Sequence, residues 1–220
     1  MSSAALPCAS PRRSAKPPRV WQRMLSGRRL DLLDPSPLDI EIADIAHGLA
    51  RVARWNGQTT GDHAFSVAQH SLIVEAIVAA RESDPRWRLA ALLHDGPEYV
   101  IGDMISPFKA VLGGDYKTIE LRLQGAIHRR FGLPETLPPA ILRLVKGADR
   151  LSAHFEAKLL AGFTSREATS LFGRPGPDAP DEALFRPRPA SEIDAAFLDR
   201  FHQLDAALRA PPPSPGKARP

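Results

Sequence analysis

The sequence has a single cysteine, Cys8, in 220 residues. One thiol can form neither an internal disulfide framework nor a multi-thiolate metal site, so a reducing, cytoplasmic setting is expected. No apolar run approaches the roughly 18 residues that a membrane-spanning helix needs, and the N-terminal stretch has no apolar signal core. A membrane is therefore not expected as a partner. Glycine-rich phosphate loops, internal repeats and β-type alternation are missing too. Acidic charge is absent from residues 1–30, which hold seven basic residues. With these and the C-terminal Lys217 and Arg219 set aside, 20 basic residues face 25 acidic ones. The body of the chain is slightly acidic, so nucleic acid is not expected as a partner despite the overall charge of +4.

What is there reads as all-α. Ile42, Ile45, Ala46, Leu49, Val52 and Ala53 recur at helical spacing and predict a first helix that ends at the Arg54-Trp55-Asn56-Gly57 turn signal. A second helix is expected over about 63–80. A third spans about 85–95, opened by Asp84-Pro85. Further helices are expected over 115–131, with Gly132 as the stop, and from Pro138-Pro139 to about Ala161. A last one opens at a capping-box pattern, Ser191 to Asp194. Residues 164–172 are a candidate short helix, and Gly27 a candidate hairpin turn. The expectation is a compact bundle of about six helices over residues 21–210. Residues 1–20 and 211–220, rich in proline, are expected to be disordered tails.

Four polar residues interrupt apolar segments of this bundle: His70 after Val67-Ala68-Gln69, His94 and Asp95 after Leu89 to Leu93, and Asp149 between Ala148 and Leu151. A polar group on a buried face needs compensation. One shared ion would compensate all four. Two imidazoles and two carboxylates suit a borderline divalent ion with open positions, such as Mn²⁺, Co²⁺, Fe²⁺ or Zn²⁺.

The order His…His-Asp…Asp resembles the HD-domain metal-dependent phosphohydrolases. The likeness covers roughly Ile40 to Gly162 and includes Arg54-Trp55, Val67 to Ser71, Leu92 to Asp95 with Glu98 and Gly102-Asp103 after it, Pro107-Phe108-Lys109, and Val145 to Asp149. This pattern is most similar to the 5′-deoxynucleotidase branch, to which phage dATP hydrolases are related. Pro97, beside Gly96, departs from the small non-proline residues usual there. The resemblance implies an HD-type helical bundle whose metal ligands are His70, His94, Asp95 and Asp149. Its activity would be release of phosphate from deoxynucleoside monophosphates, and enzymes of this kind are often homodimers.

Within that reading Glu98 or Asp103 orients water or passes a proton to the leaving oxygen. Arg54, Lys109 and Lys146 hold phosphate oxygens. Trp55 stands where it excludes a ribose 2′-hydroxyl, as the resembled family selects deoxyribose. Simpler roles stand beside these. Arg54 also fits a helix-dipole partner, Trp55 a core anchor, both lysines solvated surface positions, and Glu98 and Asp103 caps. Two other functions also fit the sequence: a dNTP triphosphohydrolase, for which the two lysines supply extra cationic sites, and a nucleotide-binding regulator that retains a metal site.

Overall fold

Two short polar caps start the helices on which the site depends. Ser66 accepts a hydrogen bond from the backbone N–H of Gln69 at 3.2 Å and opens α2, Val67–Ala79 in the order used here. Asp84 accepts from the N–H of Arg86 at 2.8 Å and opens α3, Pro85–Leu92, with Pro85 at its first position. The computed structural model describes residues 19–105, 114–176 and 179–210. The proposed tails lie almost wholly outside these residues, and Lys109 does too.

The described chain runs as a hairpin, β1 (Trp21–Arg23) and β2 (Arg29–Asp31), then α1 (Ile42–Leu49), α2, α3, α4 (Glu98–Ile101), α5 (Gly114–Arg130), α6 (Pro139–Leu159), α7 (Ser165–Phe172) and α8 (Ala190–Arg209). The fold is all-α apart from the hairpin, whose turn holds Gly27 at φ 89°. Asp44 of α1 fixes that turn, accepting from the Ser26 N–H at 2.9 Å and the Ser26 hydroxyl at 2.6 Å.

The helix α2 lies at the centre and packs on α3, α6 and α8. Residues all round it are buried, as expected of a central helix rather than an amphipathic surface one. All five residues from Leu89 to Leu93 have no exposed surface. One apolar cluster joins α1, α3, α5 and α8, and includes Leu49, Leu92, Ile127 and Phe197. A second joins α2 and α6 through Val74, Val145 and Phe155, with Phe185 from a 3₁₀ turn at Glu182–Phe185.

Several boundaries differ from the sequence expectation. Eight helices are present among the described residues, two more than about six: α7, and the single turn α4. α1 ends at Leu49, because Val52 and Ala53 leave it to pair with the chain before α2. The Val67 N–H donates to Val52 O at 3.0 Å and the Arg54 N–H to Phe65 O at 2.8 Å. α2 accordingly starts at Val67, leaving His63 exposed ahead of it. The capping box expected at Ser191 is absent. Pro189 precedes the first turn of α8 without a side-chain cap, and Glu192 pairs with Arg188 instead. The capping box that does form is at Thr164 and Glu167, on α7.

Candidate metal centre

The segment after α3 delivers two of the expected ligands. α3 stops at Leu92, so His94 and Asp95 sit on the following turn rather than within the helix. Gly96 permits that turn to lie close to α5, since a Cβ there would stand 3.0 Å from both Ile127 Cδ1 and Leu93 O. Pro97 then precedes the first residue of α4, and Glu98 is turned into the cavity described below.

His70, His94 and Asp95 each offer a ligand atom within 4.8 Å of the others. His70 Nε2 stands 3.3 Å from His94 Nε2 and 3.5 Å from Asp95 Oδ2. His94 Nε2 stands 3.2 Å from the same Asp95 oxygen. Asp149, from α6, brings Oδ1 to 3.2 Å from His70 Nε2. Three of the expected ligands, His70, His94 and Asp95, therefore meet, and Asp149 touches the group at His70.

The proton positions make this cluster suited to a cation. Glu156 Oε1 lies 2.6 Å from His70 Nδ1, and Ala91 O lies 2.9 Å from His94 Nδ1. A carboxylate and a carbonyl only accept, so both Nδ1 atoms carry the proton. Each imidazole then presents Nε2 to the other and to Asp95, and that of His70 faces Asp149 as well. In such an array either a proton or a metal ion must separate the acceptors. The carboxylates Asp95, Asp103, Asp149 and Glu156 surround one guanidinium, that of Arg54. The donor set and the charge excess both fit a divalent transition metal.

The titration behaviour has the same origin. Burial pushes the carboxyl of Asp95 up, but His94, His70 and Arg54 hold it well below the usual range. Burial likewise raises Asp149, while its hydrogen bond to His70 and the charge on both imidazoles bring it below normal. Glu156 is depressed against its burial by Arg54 and His70. Burial and Arg54 lower the pKa of His70, yet Glu156 and Asp149 outweigh them and bring it to about 10.

Arg54 and Trp55 stand beside the cluster on a strained turn. Trp55 has φ 57° and Asn56 φ 51°, two successive non-glycine residues in the left-handed region. For a residue like Trp that costs on the order of 1 kcal/mol or more. Long-range contacts hold the turn. Trp55 Nε1–H donates to Glu156 Oε2 at 2.9 Å, and Arg54 Nε–H to the same oxygen at 3.2 Å. Arg54 Nη1 is 3.6 Å from Asp103 Oδ2 and 3.8 Å from Asp95 Oδ2. Burial lowers the pKa of Arg54, but these carboxylates, Glu156 foremost, raise it above its ordinary value. The Trp55 ring packs on Phe163 and Phe172, with centroids 5.6 and 5.9 Å away.

Asp95 and Asp149 open into a cavity of about 620 Å³. Arg54, Trp55, Glu98, Asp103 and Lys146 line it as well, so every described candidate from the sequence lies at this site or borders it. Lys146 is exposed at the mouth with Arg150. Arg150, Phe163, Phe172 and Glu156 carry no motif in the sequence that singles them out. For Glu156 a signal of position exists: a carboxylate within Ala153 to Ala157, seven residues after Asp149 and so two turns along the same side of α6.

No family model matches the chain. The uncharacterized protein RCAP_rcc00048 of Rhodobacter capsulatus is 59% identical over 192 residues, which span 86% of this chain and 98% of that protein. The chain belongs to the family of that protein. The uncharacterized protein YfdR of Escherichia coli is 34% identical over 111 residues, 50% of this chain and 56% of its own. Neither protein's name states an activity.

Proposed function

We propose that the protein is a divalent-metal-dependent phosphohydrolase of the HD-domain kind, releasing phosphate from deoxynucleoside 5′-monophosphates. The observation that carries this reading is the convergence of His70, His94 and Asp95 within 4.8 Å beside a cavity that Glu98, Arg54 and Trp55 also line. The cavity volume falls in the range of small-molecule sites. Its mixed lining of acids, cations and aromatic rings suits a ligand with both a charged group and an apolar face.

His70, His94, Asp95 and Asp149 would hold the ion. Bound there, Mn²⁺, Co²⁺, Fe²⁺ or Zn²⁺ supplies charge neutralisation at the phosphate and lowers the pKa of water toward about 7. The remaining work belongs to side chains. Lys146 and Arg150 at the mouth attract the phosphate dianion. Arg54 presents a guanidinium fixed by Glu156, Asp95 and Asp103. Glu98, 3% exposed in the first turn of α4 and lining the cavity, is the residue assigned to pass a proton to the leaving 5′-oxygen. Trp55, pinned by its indole N–H and by two phenylalanines, forms a wall that cannot yield to a 2′-hydroxyl.

The paired cations at the mouth also favour a second reading, release of triphosphate from a dNTP. A screen of dNMPs, NMPs and dNTPs with Mn²⁺, Co²⁺ and Zn²⁺, identifying the released product, separates the two. Phosphate from dNMPs is expected. Tripolyphosphate would transfer the assignment to the second reading, and tight nucleotide binding without turnover would make the protein a regulator.

A further inference from the structure

Glu156 is fully buried, and its carboxylate accepts four hydrogen bonds. Oε1 accepts from His70 Nδ1–H at 2.6 Å and from the Ser152 hydroxyl at 2.7 Å. Oε2 accepts from Trp55 Nε1–H at 2.9 Å and from Arg54 Nε–H at 3.2 Å. The four bonds use the full accepting capacity of an ionised carboxylate. The two oxygens face different parts of the site: one the ligand side, the other the strained turn at the cavity wall.

We propose that Glu156 is the positioning residue that joins the metal centre to the substrate wall. The inference rests on the metal-dependent reading above. By holding the proton on Nδ1, Glu156 leaves Nε2 of His70 as the metal donor, as outer-shell carboxylates do for histidine ligands. By its other oxygen it holds the Arg54 and Trp55 side chains, and with them the turn in which Trp55 and Asn56 adopt left-handed backbone conformations. Only a carboxylate can do both, because both sides present donors. An amide has one accepting atom and one donating group. Placed in either orientation, it opposes N–H to N–H on one side. Toward His70 it would favour the proton on Nε2 and block ligation. Toward Trp55 and Arg54 it would release the turn.

The test compares the native protein with Glu156→Gln by calorimetric titration of Zn²⁺ into metal-stripped samples, with hydrogen exchange of the Trp55 indole N–H as the second readout. Glu156→Gln is expected to weaken Zn²⁺ binding by about 10- to 100-fold, and the indole N–H, protected in the native protein, to exchange faster. A folded variant with native Zn²⁺ affinity and native indole protection overturns the proposal. A native protein that binds no divalent ion overturns the metal reading itself, which is a different result. If Glu156→Gln does not fold, ¹⁵N correlation spectra of the native Zn²⁺-loaded protein decide the matter. A proton on His70 Nδ1 supports the role, and a proton on Nε2 contradicts it.

Discussion

Glu156 Oε1 lies 2.6 Å from His70 Nδ1, and neither side chain has any exposed surface. A pair so buried fixes the direction of the imidazole. The other ring nitrogen is committed to the point where His94, Asp95 and Asp149 also arrive.

Asp95 lies outside the helices, on the turn after α3. Asp95→Ala is expected to abolish divalent-metal binding and turnover while the far-ultraviolet circular dichroism stays near native. Full activity with unchanged metal content would remove Asp95 from the ligand set.

Trp55→Ala removes the wall but not the ligands. The preference for deoxy- over ribonucleoside monophosphates, read as the ratio of kcat/KM values, should shrink by on the order of 10-fold or more. An unchanged ratio would make Trp55 a packing residue for Phe163 and Phe172 alone.

Glu98→Gln keeps the shape of the side chain and removes ready proton transfer. General acid–base contributions are typically about 10²–10⁴-fold, and kcat is expected to drop by that factor with metal affinity and KM little changed. Lost metal would place Glu98 among the ligands. A near-native kcat would pass the proton-transfer role to Asp103.

The metal-free protein should lose stability as pH rises from 6.5 toward 10. His70 has its pKa raised from 6.5 to about 10 in the fold. A raised pKa contributes stability that is complete below the unfolded value and is lost as pH climbs through the folded one. Thermal denaturation of chelator-treated protein at pH 6, 8 and 10 should show a falling Tm, and saturating Zn²⁺, which replaces that proton, should remove this contribution. A Tm that is flat or rises across the window in the stripped protein contradicts the assignment.

The cluster was legible in the sequence because its members are local anomalies. His70, His94 and Asp149 each break an apolar segment, and the fold buries His70 fully and the other two in part. The hairpin at Gly27 and the stop at Gly132, which has φ 73°, were legible for the same reason, as single residues with a strong backbone preference. Features fixed by distant partners were not. Val52 and Ala53 continue the helical period of α1 but are drawn out of it by the chain around Phe65. Trp55 adopts a conformation its own side chain disfavours, held by a carboxylate 101 residues away. Glu156 reads as an ordinary polar residue of a long helix until its partners, 86 and 102 residues distant, are brought to it.

The most direct measurement is phosphate release from dNMPs by metal-stripped protein titrated with Co²⁺ or Mn²⁺. The account predicts no release from the chelated protein, recovery that saturates near one ion per chain, and no recovery in Asp95→Ala. Release that persists in excess chelator, or none with any divalent ion, would contradict a metal-dependent phosphohydrolase built on His70, His94, Asp95 and Asp149.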